Sequence, residues 1–259
     1  MVTGSQAEPG NRCLQALPHF PSGKIGGRAW EQVKKIFSEV TMSQLQTTLL
    51  TDTWVTVTWD EYIKIIKQPE YEPAKCYYYN GQLRIEMAAV GPDHADDNGI
   101  IIILTNLFGI AKGIKMRLLI NCSYRKTGVR EAQPDASYYI GERVQLTPRG
   151  SSIVNLDSAI APDLAIEIAD SSLLDDLGTK RMLYEELGVS EYWVVDVQKA
   201  QIIAFKIIAN RGSERLTESE VLPGLKFALL EAGLRRSRET DHTEVGSWFL
   251  EEIRQENFE

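Results

Sequence analysis

Histidine and cysteine are scarce: the 259 residues contain three of each. Cys13, Cys76 and Cys122 are odd in number and widely spaced, which excludes a disulfide framework and a thiolate zinc site. His19, His94 and His242 form no His-x-x-x-His pair, so any metal has to be held mainly by carboxylates, which favours a hard, oxygen-binding cation. Neither G-x-G-x-x-G nor G-x-x-x-x-G-K-[ST] occurs, which weakens nucleotide-fold readings. No run of about 18 apolar residues exists, and the first twenty residues lack a basic start followed by an apolar core. The expectation is a soluble, cytoplasmic chain with no membrane contact. Basic excess is missing too: the formal charge of -8 argues against a protein that coats nucleic acid nonspecifically. It does not exclude a nucleic-acid enzyme, because acidic metal ligands add to that sign. Arg117, Arg125, Lys126 and Arg130 supply local positive charge, which a solvated strand edge explains equally well.

At 43% apolar and 25% charged residues, the composition is that of a globular chain with a sizeable core. Residues 1–41 read as an N-terminal extension, punctuated by Gly, Pro and polar residues, with one amphipathic helix expected over Ala29–Val40. Met42 offers a second start. Residues 42–232 read as the main domain and 233–259 as a charged tail. In that tail Val245, Trp248, Phe249 and Ile253 recur at helical spacing, so it docks an apolar face on its own domain or on a partner, a second copy included.

Within the main domain, "TWDEYIKII" predicts a short helix capped by Thr58, and "CYYYNGQLRIEMA" two strands around an Asn80-Gly81 turn. A helix is expected from about His94 to Ala111, ended by Gly113. Strands follow in "IKMRLLINCSYRK", "QPDASYYIG" and "APDLAIEIA", then a helix from about Leu173 to Leu187 closed by Gly188. "SEYWVVDV" and "AQIIAFKII" form a further strand pair. This order indicates an α/β domain with a central mixed sheet flanked by helices.

The chemistry concentrates in three places. Along "PDLAIEIA", Asp163, Ala165 and Glu167 share one side of a strand, opposite Leu164, Ile166 and Ile168. The apolar side belongs to the core, leaving an open acidic surface or simply an exposed half-sheet. On the next helix Leu173, Leu177, Tyr184 and Leu187 form one stripe with Lys180 in its middle. A lysine there either snorkels to water or meets the acidic face of the adjoining strand. In "QPDASYYI", Pro134 starts a strand on which Asp135, Ser137 and Tyr139 alternate on one side. Two carboxylates and a lysine suit metal-assisted phosphodiester hydrolysis. The acids hold Mg²⁺ or Mn²⁺, and the lysine positions water and stabilises transition-state charge. Glycosidases also pair carboxylates, but they need no lysine and add aromatic platforms that cannot be assigned here.

At these residues the sequence resembles the Uma-type restriction-endonuclease-like family of the PD-(D/E)XK nuclease superfamily, over roughly Val57 to Leu230. Its most specific part is "PDLAIEIADSSLLDDLGTKRMLYEELGVSEYWVVDV". The resemblance implies a restriction-endonuclease-like fold, Asp135 of "QPD" and Glu167 of "AIEIA" as metal-binding acids, and DNA as partner. Ala169 stands where the superfamily pattern places its lysine, and the charge comes instead from the next helix as Lys180, with Tyr184 one turn later. The similarity of "NGQLRIEMAAVGPDH" to the family's entry region implies that Glu86 and His94 border the cleft. Read from its own neighbours, Glu86 either joins the acidic cluster or lies on a solvated face, and His94 caps a helix or sits at the surface. Asp163 is either a second metal contact or an acid that tunes Glu167. "ADSS" replaces the family's serine-proline, and the N-terminal extension is a second departure.

The expected function is therefore a Mg²⁺- or Mn²⁺-dependent DNA endonuclease, with Asp135, Glu167 and Lys180 as its active residues and a homodimer as one way to cut both strands. The alternative is a nuclease-fold DNA-binding or protein-assembly module without cleavage. Hydrolysis of another phosphodiester is a third reading.

Overall fold

The structure, a computed structural model, describes residues 51–87, 90–209 and 212–256, so the helix expected over Ala29–Val40 lies outside the described residues. Among the described residues, twelve strands form two six-stranded sheets. The first contains β1 (Val55–Thr56), the hairpin β2 (Lys75–Tyr79) and β3 (Gln82–Glu86), then β5 (Tyr124–Lys126), β6 (Arg130–Ala132) and β8 (Val154–Asn155), ordered β1-β3-β2-β6-β5-β8. The second contains β4 (Met116–Ile120), β7 (Ala136–Ile140), β9 (Leu164–Ala169), β10 (Glu191–Asp196), β11 (Gln201–Ile208) and β12 (Gly212–Leu216), ordered β12-β11-β10-β9-β7-β4. β9 and β10 run parallel, and the other neighbours in this sheet are antiparallel. The expected mixed sheet is thus present, and the Asn80-Gly81 hairpin belongs to a second sheet beside it. Asn80 and Gly81 both take positive φ, at 48° and 75°, as a two-residue turn between twisted strands requires.

Helix α1 (Trp59–Ile65) begins where the sequence says it should. The Thr58 hydroxyl accepts the Glu61 N–H at 3.3 Å, and the Glu61 carboxylate accepts the Thr58 N–H at 2.8 Å, satisfying two otherwise orphaned donors. Helix α2 (Pro92–Lys112) ends at Gly113, which adopts the left-handed conformation of a C-cap.

The side-chain alternation of β9 organises the core. Leu164, Ile166 and Ile168 face one way and pack with Ile100, Leu104 and Phe108 of α2. Ala165 and Ala169 face the other way, with Leu183, Tyr184 and Tyr192 and with Tyr77 of the first sheet. Every residue of β9 is buried, so the expectation of an open acidic surface is corrected: the first sheet and the following helices cover that face.

Those helices are two, not one. α3 (Leu173–Leu177) and α4 (Thr179–Leu187) are separated by Gly178, where a Cβ would lie 2.8 Å from the Leu174 carbonyl oxygen. A side chain cannot fit at that corner, so the break is fixed by glycine. Gly188 closes α4 as expected.

The C-terminal segment forms α5 (Phe227–Ser237), which runs through position 232, and α6 (His242–Glu256). Val245, Phe249 and Ile253 are buried in the same core as α2, and Arg238 pairs with buried Asp97 of α2 at 2.7 Å. The apolar stripe therefore docks within its own chain, and Trp248 is half-buried beneath the Arg236 guanidinium, 4.7 Å from its ring centre. This removes the ground on which that stripe suggested a dimer. Among the described residues no helix is long and apolar enough to cross a membrane.

Phe249→Ala should lower the unfolding free energy by about 3–5 kcal/mol, the scale of a core aromatic deletion, with unchanged mass in solution. Denaturant titration and sedimentation check this. Unaltered stability with a changed mass would instead mark α6 as a partner surface.

Candidate active site

Strand register builds the first wall of the site. β7 and β9 pair Ala136 with Ile166 and Ser137 with Ala165, so one further step sets Asp135 opposite Glu167. Directly opposed residues in an antiparallel pair share a face. Asp135 sits just after Pro134, which has no ladder N–H to offer and so suits a strand start. The Asp135 Oδ2 accepts the Ile168 N–H at 2.9 Å, locking the carboxylate beside Glu167.

The β2–β3 hairpin supplies the second wall. Its register opposes Lys75 to Glu86 and Tyr77 to Arg84, placing these four on one face. Cys76, Tyr78, Leu83 and Ile85 take the other face and pack against α1. Burial pushes the Cys76 thiol up to about 12, which keeps it from acting as a thiolate. The third wall is the α3–α4 corner, which brings Asp176, Lys180 and Tyr184 inward.

Glu167 lies at the centre, 2% exposed. Its Oε1 accepts the Tyr184 hydroxyl at 2.7 Å and lies 3.1 Å from the Tyr77 hydroxyl, which shares its proton with the Gln133 carbonyl at the same distance. Burial pushes its carboxyl up to about 8; Lys180 and Lys75 oppose that rise, while Asp135 and Asp176 add to it. Asp135 behaves oppositely. Burial works against its charge, but His94, whose Nε2 lies 3.6 Å from Oδ2, and the ammonium of Lys75, paired with Oδ1, hold it well below the usual carboxylate range.

Lys180 is 1% exposed and does not snorkel. Its ammonium pairs with Glu86 at 2.7 Å and Asp176 at 2.9 Å, and lies 4.2 Å from the centre of the Tyr77 ring. Its direct partners are therefore acids of the hairpin and of α3, not the adjoining strand as the sequence suggested. Burial opposes its charge, yet Glu167, Asp176 and Glu86 together hold its pKa above the ordinary lysine value. Glu86 is bonded in turn by Arg84 at 2.8 Å, which resolves its two readings in favour of the cluster.

Lys75, Glu86, His94, Asp135, Glu167 and Lys180 all line one cleft of about 750 Å³. His94, which the resemblance set at the cleft border and its own neighbours at a cap or the surface, stands in the first turn of α2, lines the cleft and faces Asp135. Asp163 is not brought to this cleft. It pairs with Arg143 at 2.7 Å and accepts the Ile140 N–H at 2.8 Å, at the far end of the same strand. A separate concavity of about 780 Å³ has its two basic residues already paired, Arg130 with Glu186 at 2.6 Å and Lys206 with Glu220 at 2.7 Å. Arg125 and Lys126 are likewise paired, with Glu131 and Asp157, so positive charge in that stretch is largely neutralised.

Lys75, Tyr77 and Asp176 were not identified from the sequence. The signals were present: Lys75 and Tyr77 alternate along "KCYYY", and Asp176 precedes Lys180 by four residues, the spacing of a helical ion pair. What no local pattern carries is that the hairpin lies over β9.

A divalent cation fits Asp135 and Glu167 in donor chemistry: two hard carboxylates from neighbouring strands face one cleft, whose full lining holds more Asp and Glu than Lys, Arg and His. Among the described residues no group of three or more His, Cys, Asp or Glu side chains converges as a metal cage.

Raised pKa and stability are linked, with a definite sign. Glu167 folds more readily protonated, so its cost to the fold is absent below the unfolded carboxylate range, grows as pH rises toward about 8, and is constant above. Each tenfold change in proton affinity corresponds to about 1.4 kcal/mol, so in EDTA Glu167→Gln should stabilise the protein at pH 8 by on the order of 2–4 kcal/mol, and much less at pH 5. Denaturant titration at both values checks this; an equal effect at both would contradict it.

No curated protein matches the chain. A solved chain from Anabaena variabilis ATCC 29413, described as "a putative nuclease belonging to DUF820", is 20% identical over 74% of this chain and 99% of its own, with a TM-score of 0.46. The family described as "Uma2: Putative restriction endonuclease" matches residues 59–240, a span that holds more than half of the sequence and all six cleft residues from Lys75 to Lys180. The chain belongs to that Uma2 restriction-endonuclease family.

Proposed function

We propose that this protein is a Mg²⁺- or Mn²⁺-dependent endonuclease that hydrolyses DNA phosphodiester bonds. The observation that carries the reading is Asp135 facing Glu167 across the β7–β9 register, inside a cleft that also presents Lys75 and Lys180. Family membership supports the nuclease class, and the donor set supports the cation.

Asp135 and Glu167 would hold the metal. When bound, a divalent cation neutralises phosphate charge and lowers the pKa of water. Tyr184 and Tyr77 fix one oxygen of Glu167, and the Ile168 N–H and His94 fix Asp135, so neither acid has to reorganise on binding. Lys180 is assigned the orientation of the attacking water, its ammonium held in place by Glu86 and Asp176. In the reaction a water oxygen bonds to phosphorus as the ester P–O bond breaks. One water proton goes to the leaving oxygen and the other to solvent.

A second reading is a DNA-binding module without cleavage, favoured by one observation: both lysines are engaged in ion pairs. Incubating supercoiled DNA with Mg²⁺ or Mn²⁺ separates the two. Wild type should nick or linearise it, and alanine at Asp135, Glu167 or Lys180 should each lower the rate by about 100-fold or more, with the fold intact by circular dichroism. Retained cleavage in all three variants would refute this site, and metal-indifferent binding without cleavage by wild type would establish the module.

A further inference from the structure

The two lysines of the cleft differ in kind. Lys180 is enclosed, with Glu86, Asp176 and the Tyr77 ring around its ammonium, so its position is fixed by three groups from the hairpin and α3. Lys75 has a side chain 16% exposed against 1% for Lys180, and its direct carboxylate partner is Asp135, one of the two acids assigned to the metal. It reaches Asp135 from the opposite sheet on a flexible stem, from a position that lines the cleft. An ammonium and a divalent cation at one carboxylate oxygen repel each other strongly at ion-pair distance.

We propose that Lys75 is a second catalytic lysine, an exchangeable counter-ion that neutralises Asp135 in the metal-free protein, yields that carboxylate to the cation, and then presents its ammonium to the phosphate in the same cleft. The exchange rests on the proposed cation site at Asp135 and Glu167, and the last step also on the nuclease reading. The exchange has a structural rationale of its own. Asp135 is buried, and a buried carboxylate without a counter-charge is costly, so the metal-free fold needs a cation there. Lys75 supplies it without closing the site. Of the acids near the released ammonium, its hairpin neighbour Glu86 already holds Arg84 and Lys180 on one oxygen, and Glu167 is the other acid assigned to the metal. A phosphate entering the cleft brings the anion it lacks.

The exchange is read directly by the rate at which Lys75 is acetylated by sulfosuccinimidyl acetate, followed by peptide mass spectrometry with and without Mg²⁺. Labelling of Lys75 should rise several-fold with Mg²⁺ while that of Lys180 stays low, and Asp135→Asn should label fast in both conditions. An unchanged or slower Lys75 rate with Mg²⁺ would overturn the exchange. At saturating Mn²⁺, Lys75→Met should cleave supercoiled DNA about 100-fold more slowly, with Lys75→Arg recovering most of the rate. Full activity in Lys75→Met would overturn the catalytic role. A wild type that cleaves nothing, while Lys75 still becomes reactive with Mg²⁺, would count against the nuclease reading and for the exchange.

Discussion

The structure turns on the burial of one carboxylate. Glu167 sits in the middle of a strand covered on both faces, and everything around it answers the electrostatic problem this creates. Two phenols lie within hydrogen-bond reach of the same oxygen, two lysines lie within its field, and α3 and α4 are bent by Gly178 so that Asp176 and Lys180 can both turn inward. A buried ion that is only partly compensated weakens the fold. Tolerating that cost makes sense where the missing charge arrives with a ligand.

Asp135 and Glu167 show how one strand pair can hold two acids in different states. They oppose each other in register, yet one is held well below the usual carboxylate range and the other pushed up. The difference lies in direct partners. Asp135 has Lys75, His94 and the Ile168 N–H, whereas Glu167 has phenols, which hydrogen-bond a carboxylate without neutralising it. Lys180 completes the arrangement at one remove by anchoring Glu86 and Asp176 and attracting Glu167 through a longer distance.

Much of this was legible in the sequence because it follows from periods of two and 3.6. Alternation placed Glu167 opposite Ile166 and Ile168, Asn80-Gly81 announced the hairpin, Thr58 and Glu61 announced α1, and the tail's apolar spacing announced a docked helix. The family resemblance named Asp135, Glu167 and Lys180, and the structure lines one cleft with all three. Long-range placement was not legible. Nothing local says that "KCYYY" lies over β9, so the sequence alone gives Lys75 and Tyr77 no role and leaves the acidic face open. The break at Gly178 is hidden for a similar reason: the stripe from Leu173 to Leu187 keeps helical spacing, and only the close approach to the Leu174 carbonyl shows why the chain turns there.

Asp135 and Glu167 are proposed to form one cation site in the cleft. Anomalous diffraction from crystals soaked in Mn²⁺ tests it most directly. An anomalous peak bonded to both carboxylates, with the Lys75 ammonium withdrawn from Asp135, is expected. A Mn²⁺ peak elsewhere, with the Lys75–Asp135 pair intact and Glu167 bound only by its two tyrosines, would contradict it.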